Sequence, residues 1–327
     1  MHNSLKTAIA LCIAAATTIA WAQRGAADFP SHPIRILVGY SPGGTTDIFS
    51  RILGAHLTQS LGQPVIIETR PGAAAQIASN IVAKATPDGH TLLMTPSGSH
   101  TINPSLYKKL PYDTLKDFAP ITLVAWVTNL IVTHPTSPIN TLQDLITFAK
   151  AKPGQLTYAS TGNGTITHLA GEMLKSLVNI NMVHVPYKGG GVALVAIAAN
   201  ETNIMFAALP SATPFLQSKR IKPLAVMSPQ RVSVLPDVPT VAEAGVPGIG
   251  VMEWYGAFAP AGTPRAIIEK LNAEIARIVR KPEAQARFAE LGADPVGSSA
   301  REFAKQVESD VAMWTKIVRS SGAHGGD

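Results

Sequence analysis

The sequence predicts an α/β protein of two domains built on mostly parallel sheets, and three observations carry that expectation. Short continuous apolar runs alternate with amphipathic stretches, as strands buried on both faces by helices require. Residues 23–327 number 305, more than one domain usually holds. A strand–turn–helix–strand order also recurs, once over residues 34–72 and again over 156–191.

The chain opens with Lys6 and the run "TAIALCIAAATTIAWA", in which Ala20-Trp21-Ala22 matches a small-x-small cleavage pattern. That reads as a secretory signal over residues 1–22, cleaved near Ala22, and it predicts export to the periplasm. A membrane anchor is the competing reading, but the run is short and consists mostly of alanine and threonine. The only cysteine, Cys12, lies inside it. The mature chain therefore has no disulfide, thiol nucleophile or Cys-ligated metal. It carries 26 basic against 21 acidic residues, with no run of cations beyond pairs such as Lys108-Lys109. Nucleic-acid binding needs clustered cations, so it is excluded; the mild positive balance suits an acidic small molecule and equally well solubility alone.

Along the mature chain, "IRILVGY", "PVIIET", "HTLLMT", "ITLVAWVTNLIVT", "LTYAST", "MVHVPY", "NIMFAAL", "KPLAVMS" and "YGAFAP" read as buried strands. Residues 45–61, 75–85, 141–151, 165–178 and 190–199 read as helices. Thr263 and Pro264 read as an N-cap and first-turn proline before "RAIIEKLNAEIARIVRK". Ser299 with Glu302 makes a capping box for the last helix, and Gly292 ends "PEAQARFAELG". These C-terminal helices are assigned no chemistry.

Each repeat carries a glycine-rich turn between its first strand and its helix: "YSPGGTTD" (Tyr40 to Asp47) and "TGNGTITH" (Thr161 to His168). Glycine supplies the geometry of such a turn. The same turn leaves N–H groups uncovered at the positive end of a helix, which is an anion site. Gly43, Gly44, Thr45 and Thr46 offer amides and hydroxyls in the first turn, as Gly162 to Thr165 do in the second. Asp47 reads as holding its own turn's amides. Each threonine fits helix capping equally well, and His168 fits either a ligand donor or a satisfied core residue.

Enzyme signatures are missing. There is no GxSxG elbow, HExxH or GxxxxGK[ST], and "GNGTIT" has Thr167 where a dinucleotide loop needs its third glycine. Ser97 and His100 are close in sequence and stand as a weak hydrolase alternative.

"PIRILVGYSPGGTTDIFSR", "VIIETRPGAAAQIAS", "PSLYKKLPYD", "YASTGNGTITHLAGEML", "VPYKGGGVAL" and "LPDVPTVAEAG" together resemble the Bug family of periplasmic solute-binding receptors. Those receptors serve tripartite tricarboxylate transporters, and the resemblance spans nearly all of the mature chain. It implies two Rossmann-like domains that close like a Venus flytrap on a carboxylate, the periplasmic-binding-protein architecture. The implied ligand set is Tyr40, Pro42, Gly43, Gly44, Thr45 and Asp47 in domain one, and Ser160, Thr161, Gly164, Thr165 and His168 in domain two. Ala74, Gln76, Ser97, Tyr187 and Ala208 complete it from the remaining loops. No catalytic residue, metal or cofactor is implied. The partners are a small organic acid and the membrane permease subunits, with the receptor itself a monomer.

The C-terminal helices follow "YGAFAP", a strand with no partner left in the second repeat. Domain one is accordingly expected to be discontinuous, residues 23–128 with 254–327, and domain two to be residues 129–253. The crossings fall near Ala125–Asn129 and Val251–Tyr255. Two departures from the family matter: Ala73, Ala74 and Ala75 stand where glycines are common, and Ala207 and Ala208 where Asp or Asn is. The second makes the pocket floor more apolar and favours an aromatic or alkyl acid, possible dicarboxylates included. A sensory receptor for the same acid is the remaining alternative.

Overall fold

The computed structural model describes residues 28–321, so the expected signal segment and Cys12 lie outside the described residues. The strand path runs β2-β1-β3-β9-β4-β7-β5-β6. The first half is built from β1 (Ile34–Val38), β2 (Val65–Thr69) and β3 (Thr91–Pro96), with β1 parallel to both neighbours. The second half repeats the arrangement with β5 (Leu156–Ser160) parallel to β6 (Met182–Pro186) and β7 (Ile204–Ala208).

Parallel pairing therefore holds within each repeat. The joining strands are different. β4 (Phe118–Thr133) and β9 (Met252–Pro260) run antiparallel to each other, and β9 runs antiparallel to β3. The first part of β4 pairs β9 through Thr128, and its last residues, Asn129–Thr133, pair β7. β8 (Lys222–Val226) and the short β10 (Ala293–Pro295) also lie antiparallel on β4. One long strand thus belongs to both halves.

Five helices fall close to where periodicity places them: α1 (Thr45–Leu61), α2 (Gln76–Ala83), α4 (Leu142–Ala151), α5 (Ile166–Val178) and α6 (Gly190–Ala198). The sequence reading missed a π turn at Gly98–Ile102 that runs into α3 (Asn103–Leu106). The sequence reading also has no helix at α7 (Leu209–Gln217), which carries Pro210 and Pro214, a residue type that disfavours helix interiors. Pro210 sits in the first turn, where a proline costs no hydrogen bond. α8 (Arg265–Val279) begins one residue later than expected. Pro264 is its cap, and the Thr263 hydroxyl donates instead to the Pro260 carbonyl at 2.7 Å. The Ser299–Glu302 box does close α10 (Ala300–Ser321), with Glu302 N donating to Ser299 Oγ at 3.2 Å. α9 (Pro282–Glu290) ends at Gly292, whose φ is +68°.

Phe49, Leu53 and Leu57 of α1 share one apolar cluster with Leu271 and Ile275 of α8 and with Ile36 and Val38 of β1. Leu145, Tyr158, Leu174 and Phe206 pack together in the second half. Each such side chain contributes about 1.5–3 kcal/mol on burial. The C-terminal helix α8 thus packs on the first half of the chain. The carboxyl ends of β1 and β5, with the turns that follow them, lead to a common cavity.

Candidate ligand-binding site

The two glycine-rich turns share the backbone of the two residues that lead into their helices, and differ before them, where Gly162 takes φ +136° and its counterpart Ser41 has no positive φ. In the first, Gly43 takes φ +78° and Gly44 caps α1 with φ −77° and ψ 162°. In the second, Gly164 takes φ +76° and Thr165 caps α5 with φ −78° and ψ 163°. Gly44 N donates to Ser41 O and Thr165 N to Gly162 O, both at 3.3 Å. Only glycine adopts the positive φ at 43 and 164 without strain.

A side chain from the first helical turn locks each loop. The Gly43 amide donates to Asp47 Oδ2 at 3.0 Å, and the Gly164 amide donates to His168 Nδ1 at 3.1 Å. Asp47 also accepts from Arg51 Nε at 3.0 Å, which offsets its charge. The reading of Asp47 as the turn's own lock is what the structure has.

The turns meet a small cavity of ≈ 30 Å³. The first half contributes Tyr40, Gly44, Thr45, Thr46 and Pro96, with Glu253 and Tyr255 from β9. The second contributes Thr161, Thr167, Gly190, Ala208 and Ser211. Four helices, α1, α5, α6 and α7, start at its wall, and their first-turn N–H groups have no intrahelical partners. No lining residue is cationic. The Thr45 hydroxyl faces Tyr255 without a hydrogen bond of good geometry. A second cavity of ≈ 200 Å³ adjoins through Tyr40 and Thr161 and is lined by Ala74, Tyr107, Tyr187 and Lys188 among others.

Two larger depressions, ≈ 940 Å³ and ≈ 760 Å³, open on the outer surface. The larger borders the start of α10, but Ser299 and Glu302 already satisfy that helix end. Neither lies at the carboxyl ends of the parallel strands, where ligands of open α/β sheets bind.

The halves touch directly around the cavity. Ser41 N donates to Lys188 O at 3.0 Å, and a Cβ on Gly191 would stand 2.1 Å from Pro42 O. Gly191 is what allows the first turn to seat against α6.

Of the sequence-derived set, Tyr40, Gly44, Thr45, Thr161 and Ala208 line the smaller cavity, and Ala74 and Tyr187 line the adjoining one. The others stand behind the wall. Gly43, Asp47, Gly164 and His168 build the turns, and Pro42 is exposed against Gly191. Thr165 Oγ1 donates to Gly162 O at 2.7 Å, and Ser160 Oγ pairs with His184 Nε2 at 2.7 Å. Gln76 begins α2 with a buried, unpartnered Nε2. Ser97 opens the π turn, its carbonyl taken by Thr101. His100 has both ring nitrogens buried without partners and packs 4.1 Å from Phe258, and burial drives its pKa down to about 3. Ser97 and His100 make no nucleophile–base pair.

Ala73, Ala74 and Ala75 keep the conformation for which glycine is suited, with φ of 46°, 49° and 68°. Asn103 Nδ2 donates to Ala74 O at 3.0 Å and holds this strained loop in place. Ala207 is fully buried in the second half's core, while Ala208 reaches the cavity.

Sequence alone does not mark Glu253 and Tyr255 as cavity residues: Tyr255 opens the apolar strand "YGAFAP" and Glu253 lies in the Val251–Tyr255 crossing. An acid inside an apolar strand was the available signal. Burial pushes the Glu253 pKa up to about 7, against lowering by the Tyr255 hydroxyl and the Gly98 amide. Burial likewise raises Tyr40 and Tyr255, which stay protonated phenols.

The profile of the tripartite tricarboxylate transporter family receptor, TctC, matches residues 49–323. The periplasmic binding protein BugD is similar in structure, with a TM-score of 0.86 at 31% identity over 90% of this chain and 99% of that one. A Rhodopseudomonas palustris protein solved with adipate gives 0.87 at 33% identity, over 91% and 99%. MatC from Rhodopseudomonas palustris, solved with bound malate, gives 0.84 at 32% identity, over 89% and 100%.

Proposed function

The chain belongs to the tripartite tricarboxylate transporter receptor family, and from that premise we propose that it captures a small dicarboxylate with an aromatic or aliphatic spacer. The family is one of solute-binding receptors with the periplasmic-binding-protein fold and not of enzymes. Similar proteins have been solved with adipate and with malate. The observation that carries the reading for this chain is the convergence of four helix starts on one buried, cation-free cavity. Helix N-termini favour a negative charge, and burial strengthens the effect.

One carboxylate sits against the first-turn amides of Thr45 and Thr46, and the ligand extends past Tyr40 toward Tyr187 and Lys188. Ala208 leaves its middle in apolar surroundings. A space of ≈ 30 Å³ holds about one or two waters, so a diacid enters only when the halves open. Within the described residues the lobes are 28–128 with 254–321, and 129–253, hinged in β4, whose pairing changes from β9 to β7 after Thr128, and at the entry to β9. The mature receptor is exported to the periplasm, acts as a monomer and passes the acid to membrane permease subunits.

The test is a thermal-shift and calorimetric series with adipate, its monoamide and its dimethyl ester, extended to aromatic diacids. Ligand at a hundredfold excess over Kd stabilises by about 2.7 kcal/mol, a readily measured shift. The diacid is expected to bind tightest and the diester not at all. Equal affinity for both overturns the reading.

A further inference from the structure

Glu253 is an acid placed where an anion is to be held. It is 5% exposed on β9, lines the same ≈ 30 Å³ cavity as Gly44, Thr45, Thr46, Thr167 and Gly190, and accepts from Tyr255 through Oε2 at 3.1 Å. Its Oε1 lies beside Gly98, whose amide also points at the carboxyl. The groups facing it from each packed element are phenols, hydroxyls and amides. They are Tyr255 on its own strand, Tyr40 after β1, Thr45 on α1, Thr167 on α5, Ser211 on α7 and Gly98 after β3. The charged or titratable groups behind them are spoken for. Asp47 is tied to Arg51, His100 is buried neutral and His168 accepts the Gly164 amide.

A ligand carboxylate entering this space meets a second carboxyl with no cation between them. Two carboxylates in contact in a buried site cannot both stay ionised, and one proton is shared. Resting on the receptor reading above, we propose that Glu253 contacts the bound acid as a protonated carboxyl that donates a hydrogen bond to it, so that above neutral pH a proton enters with each ligand. Above neutral pH the step is balanced as Glu253 carboxylate plus a solvent proton plus ligand carboxylate, giving one hydrogen-bonded acid–carboxylate pair. The recognised class is a carboxylate that accepts at this point; an amine there needs Glu253 ionised. Because desolvation already holds the empty site's Glu253 near half-protonated at neutral pH, the proton is available at small cost.

The experiment has two arms on the mature chain. Carbon-13 spectra of glutamate-labelled, ligand-free protein are compared between wild type and Glu253→Gln across the pH range. One carboxyl titrating at about pH 7, absent from the variant, is expected; Glu253 titrating with the ordinary carboxylates overturns the proposal. Calorimetry then uses adipate, malate and the tightest acid of the series, in buffers of differing ionisation enthalpy. Wild type is expected to take up close to one proton at about pH 8.5 and to lose up to about tenfold in affinity per pH unit above 7. Glu253→Gln is expected to bind with no such pH dependence. Acid binding without proton uptake, or affinity that rises with pH and requires an amino group, overturns this proposal alone. No acid binding at any pH overturns the receptor reading and this proposal with it.

Discussion

The turn after β1 and the turn after β5 share the dihedral angles of their last two residues and the hydrogen bonds those residues make, but treat the cavity differently. Counting from Gly43 and Gly164, Tyr40 corresponds to Thr161 and Thr46 to Thr167, and all four line the cavity. Between them the symmetry fails. Gly44 and Thr45 line it in the first turn, whereas Thr165 and Ile166 do not in the second. Thr165 spends its hydroxyl on Gly162 O, and Ile166 is in the apolar cluster. The repeat preserves a backbone; the side chains decide which copy comes close to a ligand. In this chain the first turn lines the cavity through its helix start, and the second holds the opposite wall.

The sharpest way to break the comparison is Gly44→Val. The second turn carries threonine, also β-branched, at the matching position with φ and ψ within a degree of Gly44. A Cβ on Gly44 would meet Ser41 O at 3.3 Å and Gly190 N at 3.7 Å, so the folded chain can accommodate it with small shifts. Its methyls then occupy the space a carboxylate needs. Affinity should fall by about a hundredfold, close to 2.7 kcal/mol, with little change in unfolding midpoint. Unchanged calorimetric affinity in a folded variant makes the first loop a plain turn.

The two locks differ in strength. Asp47 holds Gly43 N and Arg51 with charge-assisted bonds, while the neutral His168 holds Gly164 N alone. Asp47→Ala should cost about 2–3 kcal/mol of unfolding free energy and His168→Ala about 1 kcal/mol. Chemical denaturation of both variants measures the ratio. Equal losses would remove the distinction between a charged and an uncharged lock.

Acid sensitivity should come from buried histidines: His100 in the π turn, held down to about 3, and the pair behind the second turn. His168 and His184 stack at 4.1 Å, and burial lowers both, His184 to about 4. The unfolded imidazole titrates at about 6.5, so between pH 6.5 and 4 the unfolded chain binds more protons and stability falls as pH drops. Both rings of the pair are partly solvated, which limits their share of the loss to about 1–2 kcal/mol. His184→Asn should flatten this part of the pH–stability curve, and denaturant melts at pH 7 and 4.5 test it.

Much of this was legible beforehand, and the reasons are local. The apolar face of residues 45–61 and the glycines that follow β1 and β5 leave few alternatives for a helix opened by a turn. The box at Ser299 and Glu302 reads directly from spacing. Glu253 was not legible as a cavity residue, because only the pairing of β9 between β3 and β4 brings it to the strand ends. α7 was not legible either, since prolines disfavour helix interiors, and Ser211 lies on it. Thr165 and Thr45 look alike in sequence, since helix capping and carboxylate binding ask for the same residue. Their difference is one of position: Thr165 is the helix cap and matches Gly44, whereas Thr45 is the first residue of its helix and matches Ile166.

Thr165→Val isolates that difference and should have the smallest effect. The sequence alone made Thr165 a second anchor, whose loss would erode the preference for a diacid over its monoamide. Its hydroxyl instead donates to Gly162 O at 2.7 Å and lies 3.0 Å from Thr167 Oγ1. Valine keeps the β-branched shape and the backbone conformation, so the turn loses one buried hydrogen bond, worth about 0.5–1.5 kcal/mol. Thr167 also receives the Thr161 amide at 2.9 Å, which keeps the cavity wall in place after the change. Unfolding free energy should therefore drop by about that amount, while the ratio of diacid to monoamide affinity stays within about twofold, a difference of some 0.4 kcal/mol. A ratio that collapses in the variant restores Thr165 as a ligand contact and makes the two turns chemically equivalent.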